Sequence, residues 1–322
     1  MKVVGVVDRI YDRAPEVFDA ATVSGLRCLR APGDEADLAA FVKREGVAHV
    51  IISLHPYRGP LYDTLPAGGV IARFGVGYDN IDRVRAAGRG LYCTNTPGCL
   101  AGTVAEHALA LLLAAARGLP ALDAAVHQGR WLPVTGTTLE GRTLVIVGCG
   151  QIGCRVAGAA ARGLGMRVIG VTGRPADAEA LRAKHGFAEL ATDFAAVAPE
   201  ADFISLHVPG RPALAHYVNA ERLALMKSGA WLINTARGSV VDEAALYDAL
   251  RAGRLGGAAL DVFEHEPYRP VQADKDLRTL ENVIMTPHTA SNTRETNIAM
   301  ARRALANIVA AEAGKREAMD LI

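Results

Sequence analysis

Short apolar, β-branched runs alternate with helix-like segments along almost the whole chain, and this alternation restricts the fold more than any other feature. KVVGVV (2–7), HVIISL (49–54) and GVIARF (69–74) are each bounded by turn residues, as strands buried on both faces are. Between the first two lies EADLAAFVKREG, which has helical spacing and ends with Gly46 placed as a C-cap. A second series starts at TLVIVG (143–148) and continues through RVIGV, ADFISLHVP, GAWLINTA, GAALDVF and ENVIMTPH. The fold class expected is therefore α/β with parallel sheets. At 322 residues the chain exceeds one core of ordinary size, which predicts two domains.

The division falls near TNTPGCLAGTVAEHALALLLAAARG, where Pro97 and Gly98 close the first unit. The helix that follows is apolar on nearly all sides, so it is buried in a large core, wedged between domains or packed on a partner subunit. HQGRWLPVTGTTLEG reads as an extended arm, and the last helical stretch, NTRETNIAMARRALANIVAAEAG, is long enough to cross back onto the first unit. The expected organisation is a discontinuous domain of residues 1–98 and 290–322 around a second domain of 99–289.

A formal net charge of +1 with dispersed Lys and Arg leaves no electrostatic footprint for nucleic acid or an anionic membrane. The most apolar window, ALALLLAAA (108–116), is too short to span a bilayer, and MKVVGVVDRI lacks a signal-peptide core. Five cysteines without paired spacing predict no metal site and a reducing compartment, the cytoplasm. Cys149 lies inside a glycine turn, where filler is the expected role and a reactive thiol the alternative.

That turn, LVIVGCGQIG, puts Gly148, Gly150 and Gly153 directly after a strand and at the start of a helix. The first glycine permits the tight turn, the second lets backbone approach a pyrophosphate, and the third lets helix pack on strand; the helix amides face the anion. The next strand should then end in a carboxylate for the ribose hydroxyls of NAD. Instead Thr172, Gly173 and Arg174 stand there. Loss of the carboxylate removes repulsion against a 2′-phosphate, and Arg174 suits a charge-assisted pair with it. NADP is therefore expected over NAD, with dual use as the alternative.

Parallel sheets bind ligands at the carboxyl ends of their strands. Three such ends carry chemistry: Arg237 in LINTARGSVVDEAAL, the acids of AALDVFEHEP, and His288 in NVIMTPHTASNT. With RFGVGYDNID and TVAEHALALLLA, these segments resemble the D-2-hydroxyacid dehydrogenase family, which includes glyoxylate and hydroxypyruvate reductases and phosphoglycerate dehydrogenases. The resemblance spans about residues 70 to 300, in the family's order. It implies a Rossmann-like dinucleotide-binding domain and a flavodoxin-like substrate domain, and it places the catalytic Arg, Glu and His on Arg237, Glu266 and His288. Glu264 competes with Glu266, and the family's acid immediately before Pro decides between them. The resemblance also implies that the amides of Val76 and Gly77 bind the substrate carboxylate and that His207 and Pro209 form a cofactor wall. Asp261 would contact the nicotinamide amide, with a structural carboxylate as the alternative. Gln151, Ile152, Val208, Thr235, Ala236, Ser291 and Thr103 complete the expected cofactor set. A homodimer built on the apolar helix and the arm is implied as well.

The residue types fit the reduction of a 2-oxo acid. Hydride reaches the carbonyl carbon, so the oxygen must gain a proton, and histidine is the side chain suited to supply it. Glu266 would orient that imidazole and favour its charged form. Arg237 offers a planar fork to the substrate carboxylate. In SLHPYRG, which follows a first-domain strand, His55, Tyr57 and Arg58 are candidates for reading the far end of the substrate; an ordinary surface loop is the alternative. The other histidines read as packing or surface residues. The leading expectation is NAD(P)H-dependent reduction of glyoxylate, hydroxypyruvate or a similar acid to the D product. A phosphoglycerate dehydrogenase-type enzyme and a corepressor-like nucleotide sensor on the same fold are the alternatives. A formate dehydrogenase-like enzyme would need an amide at Glu266, and a phosphite dehydrogenase-like one a lysine at Val76.

Overall fold

The chain's first strand, β1 (Lys2–Val7), becomes fully buried from Val4 onward. In the computed structural model, which describes residues 1–131, 133–173 and 178–322, β1 pairs in parallel with β2 (Leu26–Ala31) and β3 (His49–Ile52). β4 (Val70–Arg73) and β5 (Tyr92–Thr94) complete a parallel sheet of order β2-β1-β3-β4-β5, the doubly wound order of flavodoxin. The helix α1 (Glu35–Glu45) starts where Asp34 accepts hydrogen bonds from the amides of Ala36 and Asp37 and ends on left-handed Gly46.

The second sheet contains β6 (Thr143–Val147), β7 (Arg167–Val171), β8 (Glu189–Ala191), β9 (Phe203–Leu206), β10 (Trp231–Asn234), β11 (Gly257–Leu260) and β12 (Val283–Met285). Their order, β12-β11-β10-β9-β6-β7-β8, is that of a Rossmann sheet with one further strand, and every pairing is parallel. Strand order reverses at β6, whose neighbours are β7 and β9; the crevice at such a switch point is where a doubly wound sheet takes its ligand. The helices α2 (Ala101–Arg117), α3 (Leu119–His127), α4 (Gln151–Gly163), α5 (Ala178–His185) and α6 (Glu243–Arg251) belong to this unit. The parallel α/β class expected from the sequence is the one that forms.

α2 is not buried all round. Ala105, Ala108, Leu111, Leu112, Ala115 and Ala116 pack against α4 and the β10–β11 part of the sheet, whereas Leu113 is exposed. α3 continues it after left-handed Gly118 at an angle of 66°, and among the described residues no single helix is long and apolar enough to cross a membrane. In the stretch after α3, Trp131 and Val134 are exposed.

The final helix, α7 (Arg294–Glu312), begins at Thr293, whose hydroxyl accepts from the Thr296 amide, and packs on β4. Two compact units result: Met1–Leu100 with Asn292–Ile322, and Ala101–Ser291.

Candidate active site

The glycine turn is built by close approaches that exclude side chains. Gly148 ends β6 with φ 101°, and a Cβ there would lie about 2.5 Å from the His207 carbonyl oxygen at the end of β9. A Cβ on Gly153 would collide with the Gly148 carbonyl, so helix and strand touch only because residue 153 is glycine. At Gly150 a Cβ would meet no protein atom within 4 Å. What it leaves open is space in front of α4. The helices α1, α6 and α7 start on the capping side chains Asp34, Asp242 and Thr293, but α4 starts on Gly150 with no side-chain cap. Its first amides are turned toward that space with the positive end of the helix dipole behind them. Along the same edge of the sheet, Thr235 Oγ1 is buried at the end of β10 with no hydrogen-bond partner among the described residues. An uncapped helix start and an orphaned buried hydroxyl fit a dinucleotide at this edge.

Several candidates sit around this edge. Gln151 and Ile152 open α4, Thr172 follows β7 with its amide donating to the Ala191 carbonyl at 2.9 Å, and Gly173 is exposed. Val208 and Pro209 follow β9, Ala236 follows Thr235, Thr103 lies in the first turn of α2, and Ser291 closes the unit. Arg174, on which the phosphate argument rests, lies outside the described residues. Burial pushes the Cys149 thiol pKa up to about 12, which fits a filler role better than a reactive one. Burial likewise pushes the His207 imidazole down to about 4; its Nε2 lies 2.9 Å from the Ser205 hydroxyl. A group that stays neutral at working pH suits a wall and not a proton donor.

The triad candidates come from the ends of three adjacent strands. Arg237 follows β10, and Asn234 fixes its turn, accepting from the Ala236 amide at 3.0 Å and donating to the Arg237 carbonyl at 2.9 Å. The guanidinium, half-buried, donates to the Ala236 carbonyl at 2.8 Å. A Cβ on Gly210 would come within about 2.8 Å of Arg237 Cγ, so that glycine leaves room for the side chain. Glu266 lies in the loop after β11; one carboxylate oxygen accepts from the Phe263 amide at 3.1 Å and the other is 2.7 Å from His288 Nδ1. That contact assigns the ring proton to Nδ1 when the imidazole is neutral, leaving Nε2 for a partner outside the pair.

The backbone at His288 is left-handed, with φ 49°. Asp261, fully buried at the end of β11, holds it: the His288 amide donates to the Asp261 carbonyl at 2.7 Å. Its carboxylate accepts from the Thr286 hydroxyl at 2.6 Å and from the amides of Thr289 and Ala290 at 2.9 Å each. His107 on α2 joins the cluster, with Nε2 3.1 Å from Thr286 Oγ1. Burial alone would raise the Asp261 pKa, but the hydrogen bonds from His107, Thr286 and the two amides hold it below the ordinary carboxylate range. Asp261 is thus a structural brace for the His288 segment, whatever else it touches.

His107 was expected to be a packing or surface residue, and its place in this cluster went unseen. One imidazole within an otherwise apolar helix face was the available signal. His216 is an exposed surface residue, as expected, and its Nε2 pairs with Glu264 at 2.9 Å.

In the other unit, Asn95 Nδ2 donates to the Val76 carbonyl at 2.8 Å, and Thr96 Oγ1 accepts from the Gly75 amide at 3.0 Å, bracing the loop that carries Val76 and Gly77. His55 and Arg58 are exposed, and the His55 carbonyl accepts from Asn80 at 2.8 Å. Tyr57 corrects an expectation. It is wholly buried, its hydroxyl donates to the Gly33 carbonyl at 3.2 Å, and it cannot read a substrate.

Residues 109–290 match the family model of the D-isomer specific 2-hydroxyacid dehydrogenase NAD-binding domain. The chain is 40% identical over 277 residues to a glyoxylate reductase of Korarchaeum cryptofilum, covering 83% of this chain and 80% of that one. It belongs to the D-isomer-specific 2-hydroxyacid dehydrogenases. Among solved structures of similar fold is an NADPH-dependent glyoxylate/hydroxypyruvate reductase from Sinorhizobium meliloti in complex with NADP and malonate (TM-score 0.80, 34% identity, 96% of this chain and 93% of that one). Another is a D-lactate dehydrogenase from Aquifex aeolicus complexed with NAD and lactic acid (TM-score 0.84, 27% identity, 100% and 99%). As a D-2-hydroxyacid dehydrogenase, this chain is an NAD(P)-dependent oxidoreductase that converts a small 2-oxo acid to its D-2-hydroxy acid.

Proposed function

We propose that the chain reduces glyoxylate, hydroxypyruvate or a similarly small 2-oxo acid, with Arg237, Glu266 and His288 as its catalytic residues. The observation that carries the reading is the 2.7 Å contact between Glu266 and His288 Nδ1, made by residues from two different strand ends. The bound nicotinamide supplies the hydride. Arg237 holds the substrate carboxylate through its guanidinium fork and polarises the carbonyl. His288 donates from Nε2 to the carbonyl oxygen as that oxygen gains charge, and Glu266 keeps the ring aimed and balances the imidazolium. The amides of Val76 and Gly77 are assigned to the substrate carboxylate and His55 and Arg58 to its far end, which makes Met1–Leu100 with Asn292–Ile322 the substrate domain.

NADP is the proposed cofactor over NAD. The absence of a carboxylate at Thr172 supports it, as does the NADP complex of the similar reductase from Sinorhizobium meliloti. A homodimer is proposed on the exposed apolar residues Leu113, Leu119, Val126, Trp131 and Val134, and a cytoplasmic location on the five free cysteines.

The deciding experiment is a panel of 2-oxo acids assayed with NADH and NADPH side by side. Saturable oxidation with glyoxylate or hydroxypyruvate, a D product and a higher kcat/KM with NADPH are expected. Tight nucleotide binding without turnover of any 2-oxo acid would overturn the enzymatic reading, and equal kcat/KM with both cofactors would overturn the preference.

A further inference from the structure

A second set of titratable side chains stands behind the proposed triad and is not used by it. Glu243, in the first turn of α6, is 3% exposed, an unusual burial for a carboxylate that follows a capping aspartate. One of its oxygens accepts from the Glu264 amide at 2.6 Å, and Glu264 returns the bond, its own carboxylate accepting from the Glu243 amide at 3.1 Å. The other oxygen of Glu243 is buried with no hydrogen-bond partner among the described residues. Glu264 reaches on to His216 Nε2 at 2.9 Å, and the His216 amide donates to the Ser239 carbonyl at 2.8 Å.

These contacts join two short segments. One, from Arg237 to Val241, carries the guanidinium. The other, from Phe263 to Glu266, carries the carboxylate that touches His288. Their backbones already meet at Gly238, where a Cβ would strike the Phe263 carbonyl group. Steric contact fixes how close the segments come, and Glu243 with Glu264 fixes their register along one another.

We infer that Glu243 is a positioning residue for the reaction, holding the Glu266 loop in register with the Arg237 turn through its reciprocal hydrogen bonds with Glu264. This rests on the triad reading given above. The groups facing Glu243 are Glu264 and Glu266 from the loop, His216 from the segment before β10, and Tyr268; Asp242 is its neighbour on α6. Burial first, and then the charges of Glu264 and Glu266, push the Glu243 pKa up to about 7, against the Glu264 amide and His216, which lower it. The charge beside the Glu266 loop therefore changes near neutrality.

The test compares full-length variants using NAD(P)H and the 2-oxo acid the wild type turns over fastest. Glu243→Ala is expected to lower kcat by about 10–100-fold, the cost of misplacing a catalytic group by a fraction of an ångström, while the KM for the nucleotide changes by less than about threefold. Glu243→Gln keeps an acceptor for the Glu264 amide. It is expected to recover most of kcat and to change the shape of the kcat–pH profile between about pH 6 and 8, where the carboxyl no longer titrates. His288→Asn separates the two ideas. If it leaves turnover intact, the triad reading fails. If it abolishes turnover while Glu243→Ala runs at the wild-type rate, only the positioning role falls. Should Glu243→Ala not fold, a Gln profile superimposable on that of the wild type overturns the inference.

Discussion

Arg237 is the residue whose chemistry leaves least room for substitution. In the proposed role its fork holds a carboxylate and leaves an N–H on the adjacent carbonyl oxygen, a geometry that the point charge of lysine does not reproduce. Arg237→Ala is expected to lower kcat/KM by at least about 100-fold, and Arg237→Lys to recover little of it. Nucleotide affinity, measured by quenching of protein fluorescence, should hardly change, because the α4 turn and Thr235 are untouched. Activity surviving in the Ala variant would remove the assigned role. Arg237, Glu266 and His288 were proposed from strand ends and a family motif, and of these the structure puts Glu266 and His288 in contact. Tyr57 was misread because polar neighbours in SLHPYRG make the segment look exposed, and nothing in the local pattern shows its ring turning inward. Glu243 was invisible for a related reason: an acid in the first turn of a helix is normally a solvated partner of the dipole, and only burial sets this one apart.

At the scale of elements, the left-handed His288 is held by the brace between β11, β12 and α2. Asp261→Asn would keep one acceptor but turn an amide NH2 toward a group that already donates, either the Ala290 amide or the Thr286 hydroxyl with the Thr289 amide. The expected cost is about 1–3 kcal/mol from unsatisfied buried groups. It should appear as faster amide exchange confined to residues 286–290 together with a fall in kcat. Loss of activity with unchanged exchange there would mean that Asp261 acts through contact with the cofactor alone. The elements the sequence hid are small and peripheral. β5 and β8 have three residues each, too few for a period to register. β2, LRCLRA, interleaves two arginines with its apolar residues because it is an edge strand with a half-open face. The long central runs were plain because a strand covered on both sides must be apolar at every position.

On the scale of the molecule, a formal net charge of +1 means that uniform self-repulsion contributes little near neutrality, so pH dependence of stability comes from particular groups. Two of them oppose each other. His207 titrates near 4 in the fold against about 6.5 when unfolded, so the stability it contributes is present above pH 6.5 and is lost as pH falls toward 4. Glu243 titrates near 7 against about 4.5, so its contribution is present below pH 4.5 and is lost as pH rises through 7. Between pH 4.5 and 6.5 the two slopes have opposite sign, and the wild type should show a nearly flat Tm there. Asp202 and Asp261, both held below their ordinary range, add a loss on the acid side of that window. Removing either opposing group should expose the other. Apo Glu243→Gln is expected to lose Tm steadily as pH falls from 6.5, and apo His207→Asn to gain it as pH falls from 7 toward 4.5. Thermal melts at half-unit pH intervals read both slopes. Parallel curves for the two variants would show that these groups do not set the molecule's acid response, because linkage requires their signs to differ.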